Sequence, residues 1–101
     1  MTYDHEIILI GSTVEKDEIG QDIEVPTYTT ILCGLKSVGR SEFYAAAQAG
    51  LRPEITFIIH NYEYNEEKEV EFEGHRYKVI RTYAVDVEEL ELTCEKVIGN
   101  G

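Results

Sequence analysis

The chain has 101 residues, of which 43% are hydrophobic and 29% are charged. This length predicts one domain, residues 1–101, that buries about two-thirds of its unfolded surface and folds without metals or disulfides. The formal net charge of −11, with only nine basic residues, argues against nucleic-acid binding through phosphate contacts. The opening MTYDHEIILIG places acidic residues before a short apolar run, which is not the pattern of a signal peptide or a membrane span. We therefore expect a cytoplasmic product that does not associate with membranes.

Two long β-strands are predicted in the first part of the chain. Residues 6–14 contain the apolar block Ile7–Ile10, which is typical of a strand covered on both faces or lying at a subunit contact. Residues 24–38 alternate between apolar and polar positions, which places Cys33 on the inward face. Pro26 near the start of this second strand indicates that this end lies at a sheet edge.

The segment GRSEFYAAAQAG, residues 39–50, predicts a short helix within an insertion, residues 39–53, between strands two and three. Ser41 is expected at the N-cap, Glu42 in the first turn and Gly50 just after the last turn. Isolated helices shorter than about 12 to 15 residues are marginal in water, so this helix must rest on another element.

The aromatic pair at the start of this helix has two interpretations. Phe43 shares a side with Ala46 and Ala47, and the ordinary arrangement would pack that side on the sheet of its own chain. Tyr44 and Gln48 lie on the other side, whose small neighbours permit close approach of another subunit.

A hairpin is predicted after the third strand, residues 54–64. If Gly74 and His75 form its two-residue loop, Phe72 faces Tyr77 and oppositely charged residues face each other on the other side of the sheet.

The last strand, VEELELTCEKVI, places Leu90, Leu92 and Cys94 inward. Both cysteines are therefore expected to be buried and reduced. The six strand-like runs predict a mainly β fold, a small antiparallel β-barrel or sandwich of about six strands with the helix between strands two and three.

Catalytic and metal-binding motifs are not apparent in the sequence. The histidines His5, His60 and His75 and the two cysteines form no zinc-binding spacing, and the acidic stretch 63–73 lacks the spacing of a calcium loop. We expect no enzymatic activity and no cofactor.

Arg81 and Tyr83 fall on the inward parity of the fifth strand, where a charge needs a partner. Two alternatives remain open for Arg81: it closes the mouth of the barrel with a carboxylate, or it binds a partner subunit.

Three stretches together, GLKSVGRSEFYAAAQAGLRPEITFII, EVEFEGHRYKVIRTY and VEELELTCEKV, resemble the head-tail joining proteins of long-tailed bacteriophages, the head-closure or stopper family. The resemblance implies a small β-barrel with an insertion between its second and third strands. It also implies a ring of twelve subunits in the virion, assembled in the bacterial host cytoplasm. That ring would contact a portal-side adaptor protein and a tail-side completion protein, with viral DNA only as channel contents.

The resemblance also indicates candidate partner-binding residues. The family signature corresponds to the helix start, residues 40–44, and to the fifth-strand residues Arg81, Thr82 and Tyr83, and we add Gln48 from the outer side of the helix. The predicted partner-binding residues are Arg40, Ser41, Glu42, Phe43, Tyr44, Gln48, Arg81 and Tyr83. Because such a helix would be ordered by neighbours, we expect residues 39–52 to be the most mobile interior segment of the monomer.

Two other function classes remain as alternatives. A nucleic-acid-binding barrel of the OB type would show DNA affinity with a steep salt dependence, and the charge opposes it. A ligand-binding barrel or small enzyme would contain a pocket lined by tyrosines, His60 and Arg81.

Overall fold

The computed structural model describes residues 3–97, in which six antiparallel strands close a barrel in the order β1-β2-β3-β6-β5-β4. The strands are β1 (His5–Lys16), β2 (Asp22–Lys36), β3 (Pro53–His60), β4 (Glu69–Phe72), β5 (His75–Ala84) and β6 (Glu89–Lys96). Helix α1 (Arg40–Gln48) lies between β2 and β3, and a 3-10 turn (Asn61–Glu63) follows β3. The predicted fold class is confirmed. No helix in residues 3–97 has the length and apolar character needed to cross a membrane.

The inward-facing positions of all six strands form one hydrophobic core. Phe57 is fully buried at its centre, and its ring meets those of Phe72 and Tyr77 edge-on, with centroids 5.3 and 5.7 Å away. The core residues are Ile7, Leu9, Ile31, Cys33, Phe57, Ile59, Val70, Phe72, Tyr77, Leu90, Leu92 and Cys94. Both cysteines are free and buried, as predicted, and this burial raises the pKa of each thiol to about 12.

The two longest strands extend beyond the barrel as a two-stranded ribbon. β1 and β2 pair with each other from His5↔Cys33 to Lys16↔Asp22. β4 pairs with β1 only at residues 8–10, and β3 pairs with β2 only at residues 34–36. Residues 11–27, called the arm below, therefore contact few other strands, and the molecule measures 51 × 30 × 24 Å. Pro26 lies on an edge of this ribbon, as the sequence predicted.

The β4–β5 hairpin has a different register from the predicted one. Phe72 pairs with His75, and the loop consists of Glu73 and Gly74, which have φ angles of 51° and 80°. A two-residue turn of this type requires positive φ at both positions, and the loop that places glycine second satisfies this at low cost. The predicted loop was wrong by one residue. Each residue's partner shifts by two positions, so Phe72 and Tyr77 still face the core.

A β-bulge at Ile80 changes the direction of Arg81. Val79 pairs with Cys94, but the next paired residue of β5 is Arg81, opposite Thr93. The extra residue reverses the alternation, so Arg81 shares the outer face with Thr93 instead of pointing inward. The prediction that Arg81 and Tyr83 lie on the inward parity was therefore wrong.

Helix α1 begins at Arg40, two residues earlier than a helix capped by Ser41 would begin. Gly39 occupies the N-cap position without a side-chain hydrogen bond, so the prediction of Ser41 as the N-cap was wrong. At the other end, Gly50 has a φ of 81° and donates its N–H to the Ala47 carbonyl, while Leu51 donates to Ala46. This pair of bonds is a Schellman motif, which confirms the predicted role of Gly50.

Candidate functional site

Helix α1 lies over the outer face of the barrel where β3, β6 and β5 adjoin. Thr56 of β3 and Thr93 of β6 are paired there, and their buried hydroxyls are 3.3 Å apart. The Thr93 hydroxyl also donates to Oε2 of Glu42, in the first turn of the helix, at 3.4 Å. Thr93 is thus an outward-facing strand residue that becomes buried because the helix covers it.

Glu42 is the main polar link between the helix and the barrel. The same Oε2 atom that accepts the Thr93 hydrogen bond lies 3.4 Å from a guanidinium nitrogen of Arg81. More than half of the Arg81 side chain is exposed, and ion pairs in such surroundings contribute about 0 to 1 kcal/mol. One of the two alternatives for Arg81 was an ion pair with a carboxylate at the mouth of the barrel. Arg81 does pair with a carboxylate, but the pair lies outside the barrel, beneath the helix.

The apolar contact between the helix and the barrel is small. Ala45 and Ala46 face Leu51, Pro53 and Ile80 across an open depression of about 260 Å³. No residue of α1 is buried. Because hydrophobic stabilisation is proportional to the apolar area removed from water, this seating holds the helix weakly.

The two aromatic residues of the helix face solvent. Phe43 is 41% exposed and Tyr44 is 61% exposed, and their rings meet edge-on with centroids 6.0 Å apart. Phe43 therefore does not pack on the sheet of its own chain. It lines an outer groove together with Ala47, Gly50, Leu51 and Arg52, which we call the helix groove. Adjacent exposed aromatic side chains are the kind of surface that protein–protein contacts use.

The remaining predicted partner-binding residues lie on or beside this surface. Arg40, Ser41 and Gln48 are exposed on α1. Tyr83 is exposed two residues after Arg81, and so lies on the same outer face of β5. The structure thus brings Glu42 and Arg81 together and sets Phe43 beside Tyr44.

Sequence reasoning missed three residues that seat the helix, Thr93, Ile80 and Leu51. The sequence predicted Thr93 only as an outward-facing strand residue. Its burial could not be predicted, because the covering helix lies more than forty positions away in the chain. Ile80 occupies a bulge, which carries no signal in the alternation of β5.

A second cluster at the barrel end involves His60. The ring of Tyr3 stacks on the imidazole at 4.3 Å, Tyr62 lies 5.4 Å away, and Nδ1 of His60 is 3.3 Å from Oε1 of Glu63. Tyr3 donates its hydroxyl to Glu89 at 2.7 Å, and partial burial together with this carboxylate raises the pKa of Tyr3 to about 12. The depression that contains Arg81 does not include His60, so these two do not line one pocket.

Groups of three or more histidine, cysteine, aspartate or glutamate side chains placed to hold a metal ion do not occur within residues 3–97. In the acidic stretch, Glu67 is buried and its carboxylate accepts the backbone N–H of Asn65 at 2.7 Å. Its role there is to hold the loop before β4 in place.

Comparison with models of known protein families found no match, and comparison with curated proteins found none that is similar.

Proposed function

We propose that this chain is a head-tail joining protein, a structural head-closure protein that forms a ring at the head-tail interface of a long-tailed bacteriophage. In this function the ring retains packaged DNA and connects the head to the tail. The observation that carries the proposal is the weakly seated helix α1, which has no buried residue and presents Phe43 and Tyr44 to solvent. A helix of nine residues held in this way gains its order from contacts with other subunits.

The arrangement of the titratable groups supports a role in assembly rather than catalysis. Arg81 and Glu42 pair with each other, His60 is stacked with aromatic rings, and both thiols lie in the core. These groups do not converge on one concave site, which catalysis requires.

The charge of the chain supports a position around a DNA channel. Each subunit contributes a net charge of −11, and twelve subunits would multiply that field around the ring. Repulsion between such a surface and DNA lets the polyanion pass without being held. The DNA would therefore be the contents of the channel and not a ligand.

In this proposal the exposed surface of helix α1 forms contacts between the ring subunits and with the adaptor. Arg40, Phe43, Tyr44 and Gln48 on α1, with Tyr83 on β5, would meet a neighbouring subunit or the portal-side adaptor. The opposite side of the ring would bind the tail-side completion protein. Glu42 and Arg81 would hold the helix in position for these contacts.

Electron microscopy of the protein mixed with a portal–adaptor complex tests this proposal. We expect an additional ring of twelve copies below the adaptor, because the adaptor orders the helix and presents twelve equivalent sites. A complex that gains no density at saturating protein concentration would contradict the proposed function.

Particles lacking the protein should also lose packaged DNA, and adding the purified protein should prevent that loss.

A further inference from the structure

The turn at the end of the arm presents an apolar side chain on a rigid support. Oδ1 of Asp17 accepts the backbone N–H groups of Ile19 at 3.0 Å and of Gln21 at 2.8 Å. Gly20, with a φ of 84°, donates its N–H to the Asp17 carbonyl. These bonds fix the backbone around Ile19, whose side chain is 77% exposed. A side chain held in this way loses little conformational freedom when it binds.

The surroundings of Ile19 are acidic and partly apolar. Residues 14–24 contain five acidic side chains and one lysine, a net charge of −4, and the lysine already pairs with Asp22 at 2.6 Å. Val14 and Ile23 are also exposed in this segment. A surface that covers the tip of the arm must therefore combine an apolar depression with positive charge.

The helix groove is largely apolar and has one arginine in its lining, Arg52, whose backbone N–H donates to a carboxylate oxygen of Glu95 at 2.7 Å. Its floor is formed by Phe43, Ala47 and Leu51, and Arg52 lies at its edge. Arg40 precedes Phe43 by three residues, so it lies on the same side of α1. Within residues 3–97, neither Arg40 nor Arg52 has a carboxylate within ion-pair distance of its guanidinium.

The tip and the groove of one chain lie too far apart to meet. β2 extends from the arm turn to the segment before α1 and has 15 residues. At the rise per residue of a β-strand, its length is roughly 50 Å. The long axis of the molecule, 51 Å, agrees with this separation. A contact between the acidic tip and the groove must therefore join different copies of the chain. Such a contact joins two different surfaces, and its repetition gives a ring where the rotation between copies closes.

We propose that the arm tip of one copy, centred on Ile19, binds in the helix groove of the next copy between Arg40 and Arg52. This inference rests on the proposed function, because it identifies the contact through which the ring closes. The acidic residues of the tip meet the two arginines, and Ile19 contacts Phe43, Ala47 and Leu51. The occupant of the groove is therefore a second copy of this chain.

Disulfide cross-linking between two single variants tests the contact. Ile19→Cys mixed with Ala47→Cys should give a covalent heterodimer under mild oxidation, and a chain carrying both changes should give a ladder of oligomers. The native thiols are buried in the core and do not compete. Val87→Cys is the matched control for Ile19→Cys, because Val87 is 90% exposed and lies in the β5–β6 turn.

We expect at least about tenfold more heterodimer from Ile19→Cys than from Val87→Cys, since a specific contact must exceed random collision by that order. Equal yields from the two variants would overturn the proposal. So would a double variant that remains monomeric under oxidation.

Charge reversal gives an independent test in the same cross-linking assay. Arg52→Glu should reduce the heterodimer about tenfold, and Glu18→Arg in the partner chain should restore it, because the pair then has opposite charges again. Lys68→Glu makes the same change of charge outside the groove and should have no such effect. A yield unaffected by Arg52→Glu would contradict the assigned groove.

The failures of the two proposals can be distinguished. If a ring forms on the adaptor complex but Ile19→Cys and Ala47→Cys do not cross-link, the arm contact is wrong and the head-closure function stands. If the cross-link forms but no ring appears on the adaptor complex, the arm contact stands and the head-closure function is wrong.

Discussion

Replacing Phe43 and Tyr44 together by alanine is expected to weaken assembly of the protein on the portal–adaptor complex by about 30- to 1000-fold, without unfolding the protein. Phe43 then no longer contacts the arm of the next copy, and Tyr44 is lost from the surface toward the adaptor. Aromatic residues at the centre of an interface contribute about 2 to 4 kcal/mol on truncation, which corresponds to that range of affinity. Tyr44 is 61% and Phe43 is 41% exposed in the free chain, and neither is buried, so their removal should change its free energy of unfolding by only about 1 kcal/mol.

Binding to immobilised portal–adaptor complex and thermal unfolding of each variant would measure these two effects. Tyr62→Ala with Val87→Ala is the matched control, since both residues are at least as exposed and lie away from the helix. Unchanged affinity of the Phe43 and Tyr44 variant would remove the helix surface from the interface. A reduced affinity accompanied by a large fall in Tm would indicate a structural role for the aromatic pair instead.

The second large effect is a loss of stability at alkaline pH. The thiols of Cys33 and Cys94 have a pKa of about 12 in the folded chain, against 9.0 when exposed, because burial disfavours the thiolate. Above pH 9 the unfolded chain releases two protons that the folded chain keeps. The two protonated thiols therefore contribute their full stabilisation below pH 9. This contribution decreases as the pH rises toward the pKa of the thiols in the folded chain. The free energy of unfolding should fall by up to about 3 kcal/mol per pH unit, or about 4 kcal/mol by pH 10.5.

Urea unfolding between pH 7.5 and 10.5, under reducing conditions, measures this slope. Cys33→Ala and Cys94→Ala serve as matched controls, because each should halve the slope although each also lowers the stability at neutral pH. Tyr3, Tyr64 and Tyr77 add to the loss only above pH 10, since burial raises the pKa of each above its ordinary value of 10.0. A free energy of unfolding that stays constant to pH 10.5 would show that the thiols are not buried as the fold places them.

The alternation of apolar residues predicted most of the barrel. Cys33, Leu92 and Cys94 were assigned inward from strand parity alone, and all three are fully buried. This succeeds because a one-residue change of face would expose the whole hydrophobic side of a strand. Pro26 at a strand edge and Gly50 after the helix were predicted for equally local reasons, the missing N–H and the positive φ.

The errors arise where local geometry departs from simple alternation. The bulge at Ile80 reverses the direction of Arg81, and nothing in the alternation of β5 announces an extra residue. Without the bulge Arg81 would point inward and could not reach Glu42. The third strand was predicted to continue to residue 64 but ends at His60, where a 3-10 turn begins.

The sequence indicated some residues of the candidate site but missed others that seat the helix, and it did not indicate their arrangement. Glu42, Phe43 and Tyr44 were identified from the sequence, yet whether Phe43 faced its own sheet or solvent depended on how α1 sits over β5 and β6. The proposed contact between the arm tip and the helix groove could not be predicted for a similar reason. The distance between Ile19 and Arg52 is set by the fold and not by the local sequence.

The central claim is that helix α1 is completed by neighbouring subunits. Amide hydrogen exchange of the free and the adaptor-bound protein tests it most directly, because exchange rates report how firmly a segment is held. Residues 39–52 should exchange at least about 100-fold faster than the strands of the β4–β5 hairpin in the free protein, and should be strongly protected in the bound protein. Exchange of residues 39–52 that is as slow as that of the hairpin, and unchanged on binding, would contradict the account.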